Sequence, residues 1–89
     1  FVTRRDNLRL SSELERAYAQ KVAAVTAEIA GSKVKEVVTI DGLKLLLEDG
    51  AWMLFRKSGT EPVVRLYGEA GSDTRLTEIM AAGRTFILG

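Results

Sequence analysis

The stretch 41–55, DGLKLLLEDGAWMLF, decides the fold because it contains two Asp-Gly dipeptides, each followed by an apolar segment. Asp-Gly between apolar runs is a strong short-range signal for a tight hairpin turn. Upstream of the first turn, residues 34–40 are rich in β-branched side chains, which favours a strand that ends there. Residues 43–48 and 51–55 supply two further strands. The sequence therefore predicts an antiparallel meander of three strands.

The third of these strands is apolar on both sides. Trp52 and Leu54 point to one side, because side chains alternate along a strand. Met53 and Phe55 point to the other side. A strand with two apolar faces is typical of the middle of a sheet, so we expect a central position. Arg56 follows on the side of Trp52.

Residues 63–70 predict a fourth strand with one apolar and one polar face. Val64 and Leu66 lie on the apolar face, which we expect to cover the core. Three residues form the polar face: Arg65, Tyr67 and Glu69.

Two predicted helices flank the strands. Ser12 and Glu15 have the S-x-x-E spacing of a capping box, which predicts that a helix begins there, and Gly31 supplies a stop. The apolar stripe of this helix consists of Leu14, Tyr18, Val22, Val25 and Ile29. The segment Gly71-Ser72-Asp73 breaks the last strand and offers an N-cap for the second helix. Its apolar positions include Leu76, Ile79 and Met80.

Helices kept apart from an antiparallel sheet define an α+β fold. We expect a two-layer sandwich in the order α-β-β-β-β-α, with a four-stranded, largely antiparallel sheet and both helices packed on one face. Residues 12–89 form this domain. Residues 1–11 are mixed and charged without a sustained period, and they predict a linker from a preceding domain or an incoming strand.

Composition restricts the chemistry of the chain. There is no Cys and no His, so thiol catalysis, disulfides, cysteine zinc sites and histidine bases are all excluded. Thirteen Lys and Arg against 12 Asp and Glu give a net charge of +1, which does not favour nucleic acid as a partner. No apolar run is long enough to span a membrane, and we expect a cytoplasmic location. The chain begins at Phe1 without an initiator Met, which favours a piece of a longer polypeptide.

The connection 56–62, RKSGTEP, concentrates groups that bind phosphate. Arg56 can donate two parallel hydrogen bonds to an anion, and Ser58 and Thr60 add hydroxyl donors. Gly59 permits a tight turn in which successive backbone N–H groups converge on an anion. Residues 55–67 hold three basic side chains and one acidic side chain, and 3 − 1 gives a local charge of +2. The alternative from chemistry alone is an ordinary polar loop between two strands.

The run R-x-S-G-T-E-P-x-x-R-x-Y-x-E, from Arg56 to Glu69, closely resembles the signature of the last domain of α-D-phosphohexomutases, the phosphoglucomutase/phosphomannomutase family. The resemblance extends over the leading helix, both Asp-Gly turns and the closing helix. It implies the TATA-box-binding-protein-like fold of that family's C-terminal domain. It also implies that the partners are a phosphosugar substrate and the other domains of a longer chain.

The resemblance assigns a role to each residue of the motif. Four residues would hold the non-reacting phosphate of a hexose phosphate: Arg56, Ser58, Gly59 and Thr60. Lys57 occupies the variable position, and Glu61 and Arg65 are candidates for a supporting role. No residue of the chain is assigned to catalysis or to a metal. Magnesium is implied for the full-length enzyme but not for this piece.

The family's catalytic phosphoserine, magnesium and sugar-binding loops have no counterpart in the chain, so we expect the piece to be inactive alone. Its two Asp-Gly dipeptides lack the further Asp residues of a metal loop and are better explained as turns. Leu66-Tyr67 resembles the phosphoglucomutase and phosphomannomutase branch. The alternatives are the same domain of a phosphoglucosamine mutase and a purely structural module that only packs against neighbouring domains.

Overall fold

The computed structural model describes residues 1–89, which form one antiparallel sheet of six strands and two helices. In chain order the elements are β1 (Val2–Arg9), α1 (Ser12–Ala23), β2 (Glu28–Ile29), β3 (Ser32–Val38), β4 (Leu43–Leu47), β5 (Trp52–Lys57), β6 (Val63–Ala70) and α2 (Asp73–Leu88). The strands lie in the order β1-β6-β5-β4-β3-β2. The predicted α+β class and the predicted meander of three strands, β3-β4-β5, are therefore confirmed.

The prediction of four strands was wrong, because the sheet has six. Residues predicted to be a linker or an incoming strand form β1, which pairs with β6 along its whole length, from Val2 opposite Ala70 to Arg9 opposite Val63. Only Leu8 of β1 is buried, so the strand carries almost no apolar alternation. The other addition, β2, has two residues and pairs with β3.

The first helix is shorter than its apolar stripe predicts. It ends at Ala23, and the β-branched pair Val25-Thr26 that follows disfavours helix. Val25 and Ile29 still pack against the core, but from a loop and from β2. Gly31 does not stop the helix, since it lies at φ +73° in the turn between β2 and β3.

The N-cap of α1 is Ser11, one residue before the predicted Ser12. The Ser11 hydroxyl accepts a hydrogen bond from the Leu14 amide at 3.2 Å. Glu15 therefore lies too far along the helix to complete a capping box, and its carboxylate contacts Lys57 instead. The N-cap of the second helix lies within the predicted segment Gly71-Ser72-Asp73, since the Ser72 hydroxyl accepts from the Arg75 amide at 3.1 Å.

The core lies between one face of the sheet and the helices. Helix α2 packs on β6, β1 and β5, and α1 packs beside α2. All fully buried residues on the core side are apolar, and no charged or polar residue is buried. The largest of them are Phe55, Leu8, Leu43, Leu45, Leu47, Met53, Leu66, Leu76, Ile79 and Ile87. The opposite face of the sheet, called here the open face, has no helix on it.

Arg75 ties α2 to two turns of the sheet. Its guanidinium donates to Asp49 Oδ2 at 2.7 Å in the β4–β5 turn and to the carbonyl oxygen of Ala30 at 2.6 Å in the β2–β3 turn. It also contacts Glu78 Oε1 at 3.2 Å, one turn along the helix. One side chain thus fixes the position of the helix against both hairpins.

We expect Arg75→Ala to lower the free energy of unfolding by about 1–2 kcal/mol, because it removes charge-assisted hydrogen bonds that are partly shielded from water. Arg84→Ala is the matched control, since Arg84 makes a single exposed ion pair with Asp6 at 3.3 Å. It should cost less than about 0.5 kcal/mol. Urea denaturation at pH 7 measures both values, and equal losses would contradict the anchoring role.

The same contact makes stability depend on pH. Burial alone would raise the pKa of Asp49, but hydrogen bonds from the Ala51 amide and from Arg75 outweigh it and hold the pKa below its usual value. Because the folded-state pKa is depressed, the stabilisation is complete above the unfolded-state value of about 4 and is lost as the pH falls through the folded-state value. The stability difference between the native chain and Asp49→Asn should therefore shrink below about pH 4. A difference that is independent of pH would contradict this account.

Candidate functional site

Three strands bring polar side chains together on the open face, at the end of the sheet where β5 turns into β6. Arg56 of β5 lies directly opposite Arg65 of β6. Arg65 in turn lies opposite Asn7 of β1, and Arg9 lies opposite Val63. Side chains directly opposite in an antiparallel pair share a face, so one row crosses three strands next to the loop.

The loop itself is pinned at its base by backbone hydrogen bonds. The Ser58 amide donates to the Val63 carbonyl at 2.9 Å, and the Val63 amide donates to the Glu61 carbonyl at 2.8 Å. The Leu10 amide, just after β1, donates to the Pro62 carbonyl at 2.7 Å. The loop is therefore held between β5, β6 and the end of β1.

The Ser58 hydroxyl organises the interior of the loop. It accepts hydrogen bonds from the amides of Thr60 at 3.3 Å and Glu61 at 3.2 Å, and it lies 3.4 Å from the Thr60 hydroxyl. Two of the loop amides that were predicted to converge on an anion thus converge on Ser58 Oγ. The Gly59 amide has no protein partner. An anion at this loop would meet the Gly59 amide and the two hydroxyl groups first.

The two arginines opposite each other have no carboxylate partner. Ion pairs in the chain join Lys57 to Glu15, Arg75 to Asp49 and Glu78, and Arg84 to Asp6. Arg56 and Arg65 take part in none of them, and both side chains are exposed. Like charges directly opposite in a sheet are destabilising. An anion bound between the two guanidinium groups would relieve that repulsion.

A cavity of about 200 Å³ opens beside the loop on the same face. Its lining consists of Asn7, Arg9, Ser58, Glu61, Val63 and Arg65. Of the predicted site residues, Ser58, Glu61 and Arg65 therefore lie together in it. Arg56, Gly59 and Thr60 do not line it, although Arg56 is opposite Arg65 and the other two belong to the same loop.

Lys57 is separated from the other predicted residues. It pairs with Val64, whose side chain is buried under the helices, so Lys57 lies on the core side of the sheet. Its ammonium contacts Glu15 Oε2 of α1 at 3.4 Å. Lys57 therefore links the loop to α1 and adds little positive charge to the open face.

Sequence reasoning missed Asn7 and Arg9. The alternation around the buried Leu8 is the only local signal that they share a face, and it spans a few residues. Their place in the site follows from the pairing of β1 with β6, which no local pattern specifies.

A second cluster on the open face has its own internal contacts. The Trp52 indole donates to Glu69 Oε2 at 3.3 Å, and the Lys44 ammonium lies 4.5 Å from the centroid of the Trp52 ring. Trp52 and Tyr67 also line a shallow cleft of about 470 Å³ with Arg5. These aromatic residues are half-buried on the open face of two interior strands, β5 and β6.

The sheet with its two helices and its arginine-flanked loop matches a known family of domains. The family model described as "Phosphoglucomutase/phosphomannomutase, C-terminal domain" matches residues 6–85. The chain therefore belongs to this family, as the motif from Arg56 to Glu69 indicates.

Individual relatives agree with this assignment. A phosphopentomutase of Thermococcus kodakarensis is 33% identical over 79 residues, which are 89% of this chain and 18% of that protein. A phosphoglucomutase/phosphomannomutase of the same organism is 40% identical over 62 residues, 70% of this chain and 13% of that protein. A crystal structure of a phosphoglucomutase/phosphomannomutase family protein from Burkholderia thailandensis matches 96% of this chain and 17% of its own, with 38% identity and a TM-score of 0.63. Probable phosphoglucosamine mutases are also similar.

The chain spans less than a fifth of the length of these relatives. No group of three or more Asp and Glu side chains lies close enough together to hold a metal ion. Neither helix is long and apolar enough to cross a membrane.

Proposed function

We propose that this chain is the substrate phosphate-binding domain of a phosphohexomutase. The enzyme would interconvert hexose 1-phosphate and hexose 6-phosphate by intramolecular phosphoryl transfer through a bisphosphate intermediate. The observation that carries the proposal is the pair Arg56 and Arg65, which face each other without a carboxylate beside a loop of hydroxyl and amide donors. A relative that bears the name phosphoglucomutase/phosphomannomutase supports the choice of reaction.

In this proposal the domain binds and positions the substrate but does not react with it. The guanidinium fork of Arg56 donates to two oxygens of the phosphate that is not being transferred, while Ser58, Gly59 and Thr60 donate to the same group. Binding energy from that remote phosphate holds the reacting hydroxyl in place, and positioning is a large part of phosphoryl-transfer catalysis. The two phosphates of the intermediate would occupy the loop in turn.

Magnesium, which the family resemblance implies for the full-length enzyme, does not fit this chain, because no cluster of carboxylates is available for it. No step of the proposal passes through a metal held here. Because the sequence has no counterpart of the family's catalytic phosphoserine and sugar-binding loops, we expect the isolated chain to bind phosphosugar without converting it. The cytoplasmic location expected from the sequence stays a prediction.

We propose glucose or mannose phosphate as the substrate, because Leu66-Tyr67 resembles that branch of the family. The relatives include a phosphopentomutase and probable phosphoglucosamine mutases, so the sugar itself must be tested. Parallel titrations with the phosphates of glucose, mannose, glucosamine and ribose would rank these sugars by the affinity of the chain for each. The tightest binding by glucosamine 6-phosphate would contradict this choice of sugar while leaving the phosphate site intact.

A second candidate function is a purely structural module. The observation that favours it is the Ser58 hydroxyl, which accepts hydrogen bonds from the loop amides of Thr60 and Glu61 within the chain. In that case phosphosugars would not bind, and the loop would serve only to connect two strands.

Replacing Arg56 by alanine separates the two functions. We expect Arg56→Ala to weaken binding of glucose 6-phosphate by roughly 10- to 100-fold, the equivalent of one or two hydrogen bonds from a charged donor. Arg56→Lys keeps the charge but loses the fork, so its affinity should lie between the two. Isothermal titration calorimetry of the chain measures all three.

Arg16→Ala is the matched control, because Arg16 is an exposed arginine of α1 that makes no ion pair. It removes the same charge from the helix side of the sheet, away from the open face, and should leave the affinity within a factor of about two. No binding by the native chain, or unfolding of Arg56→Ala, would support the structural module. Equal affinity of Arg56→Ala and the native chain would contradict the role of Arg56 in binding.

A further inference from the structure

The end of β1 forms one wall of the cavity beside the loop. Asn7 and Arg9 line that cavity together with Ser58 and Arg65, and the backbone of Leu10 is bonded to Pro62. We propose that Arg9 is a phosphate-binding residue, so that the phosphate is held by arginines from three neighbouring strands. This inference rests on the proposed function and extends it to a strand outside the loop motif.

Charged residues of β1 divide between the two faces of the strand. Arg4 and Asp6 have partners on the helix side, where Arg4 contacts the Thr77 hydroxyl at 3.3 Å and Asp6 pairs with Arg84. Arg9 lies on the open face, is exposed and makes neither an ion pair nor a side-chain hydrogen bond. Its guanidinium is therefore available to a ligand without loss of an existing contact.

Arg9 and Arg65 flank the same space. They are diagonal neighbours on adjacent strands, since Arg9 pairs with Val63, two residues before Arg65. Diagonal positions are about 7–8 Å apart at Cα, which lets long side chains converge on one small anion. With Glu61 as the one carboxylate in the lining, the cavity carries 2 − 1 = +1. Arg56, opposite Arg65, raises this to +2, which complements the charge of a phosphate monoester near neutral pH.

The competing explanation is that Arg9 only protects the edge of the sheet. β1 is an edge strand, and charged side chains on such strands prevent pairing with other chains. That explanation applies equally to Arg5, which lies on the same strand and face but lines the other cleft. Arg5 is four residues from Arg9, about 13 Å along a strand. The two arginines therefore form a matched pair for a test.

The test is a titration of three proteins with glucose 6-phosphate: the native chain, Arg9→Gln and Arg5→Gln. Amide NMR monitors the binding, and uncharged glucose is the control ligand. We expect Arg9→Gln to bind about three- to tenfold more weakly and Arg5→Gln to bind as the native chain does within a factor of about two. The side-chain Nε–Hε signal of Arg9 should also shift with glucose 6-phosphate and not with glucose. A role in edge protection would move neither the affinity nor that signal.

Any other outcome of this titration contradicts the binding of phosphate by Arg9, and the pattern of affinities shows why. If Arg9→Gln keeps the native affinity, or if Arg9→Gln and Arg5→Gln lose equal affinity, a direct contact between Arg9 and the phosphate is contradicted. Binding by the native chain would in that case still support the loop as a phosphate-binding site. No binding by the native chain would overturn the proposed function and this inference together. Both variants should keep the native amide spectrum, because neither arginine is buried or bonded to another side chain.

Discussion

Replacing Phe55 by alanine should cost about 3–5 kcal/mol of the free energy of unfolding, the largest loss we expect from any single substitution in this chain. The Phe55 side chain is 0% exposed and lies on β5 beneath α2. Its ring lies 5.4 Å from the ring of Phe86, and a Cβ at Gly83 would lie 3.3 Å from its Cζ. The cavity left by alanine cannot collapse, because the sheet on one side and the helix on the other are both rigid elements.

Phe1→Ala is the matched control for this substitution, since it removes the same atoms from a side chain that is 85% exposed. It should change stability by less than about 0.5 kcal/mol. Urea denaturation followed by far-UV circular dichroism measures both variants. Globular domains have about 5–15 kcal/mol of stability, so this loss would remove most of the stability of a domain at the lower end of that range. A loss below about 1 kcal/mol would contradict the position of Phe55 in the core.

Gly42→Ala should also be strongly destabilising, at about 3 kcal/mol, and it should disturb the site. Gly42 lies at φ +120°, a conformation that residues with a Cβ rarely adopt. A Cβ there would clash with the carbonyl oxygen of Phe55 and would lie 3.2 Å from Cγ of Arg56. The clash is with backbone, so β4 and β5 must separate locally to relieve it. Arg56 would move with β5, and binding of glucose 6-phosphate should weaken together with stability.

Two other glycines separate the causes of this effect. Gly50 lies at φ +91°, and a Cβ added there would have no atom within 4 Å, so Gly50→Ala should cost only the backbone strain of about 1–2 kcal/mol. Gly59 has open space and no positive φ, so Gly59→Ala should be nearly neutral for stability. Equal losses in Gly42→Ala and Gly50→Ala would show that the clash with Phe55 is unimportant.

Local signals were sufficient for most of the sheet. The predicted bounds of the last strand, 63–70, agree with β6, and both Asp-Gly turns contain a glycine with positive φ. Met53 and Phe55 are buried and β5 lies inside the sheet, as two apolar faces predict. Turn chemistry and strand alternation act over a few residues, so they can be recognised from sequence.

Elements that depend on distant partners could not be predicted in this way. β1 is stabilised by pairing with β6, more than 50 residues further along the chain, and its outward side chains hide the period of a strand. The apolar stripe from Leu14 to Ile29 has helical spacing, yet its second half packs from a loop and a two-residue strand. Spacing predicts which residues face the core but not which backbone conformation brings them there.

In the candidate site too, local sequence predicts some features, while others depend on residues that are distant in the chain. The motif from Arg56 to Glu69 predicts the loop of the candidate site, whereas the position of Asn7 and Arg9 beside that loop depends on the pairing of β1 with β6. The sequence also did not indicate that Lys57 lies on the core side of the sheet. Nor did it indicate that the Ser58 hydroxyl accepts hydrogen bonds from two amides of the loop. The side on which a residue lies follows from the register with its neighbours, and that register is a property of the assembled sheet.

The central claim is that the loop and the open face beside it bind the phosphate of a sugar phosphate. A backbone amide NMR titration of the chain with glucose 6-phosphate, with sulfate and uncharged glucose in parallel, tests it most directly. We predict saturable shifts centred on Ser58, Gly59 and Thr60, with smaller shifts at the end of β1, and no response to glucose. No shift at millimolar glucose 6-phosphate, or shifts confined to residues outside this region, would contradict the claim.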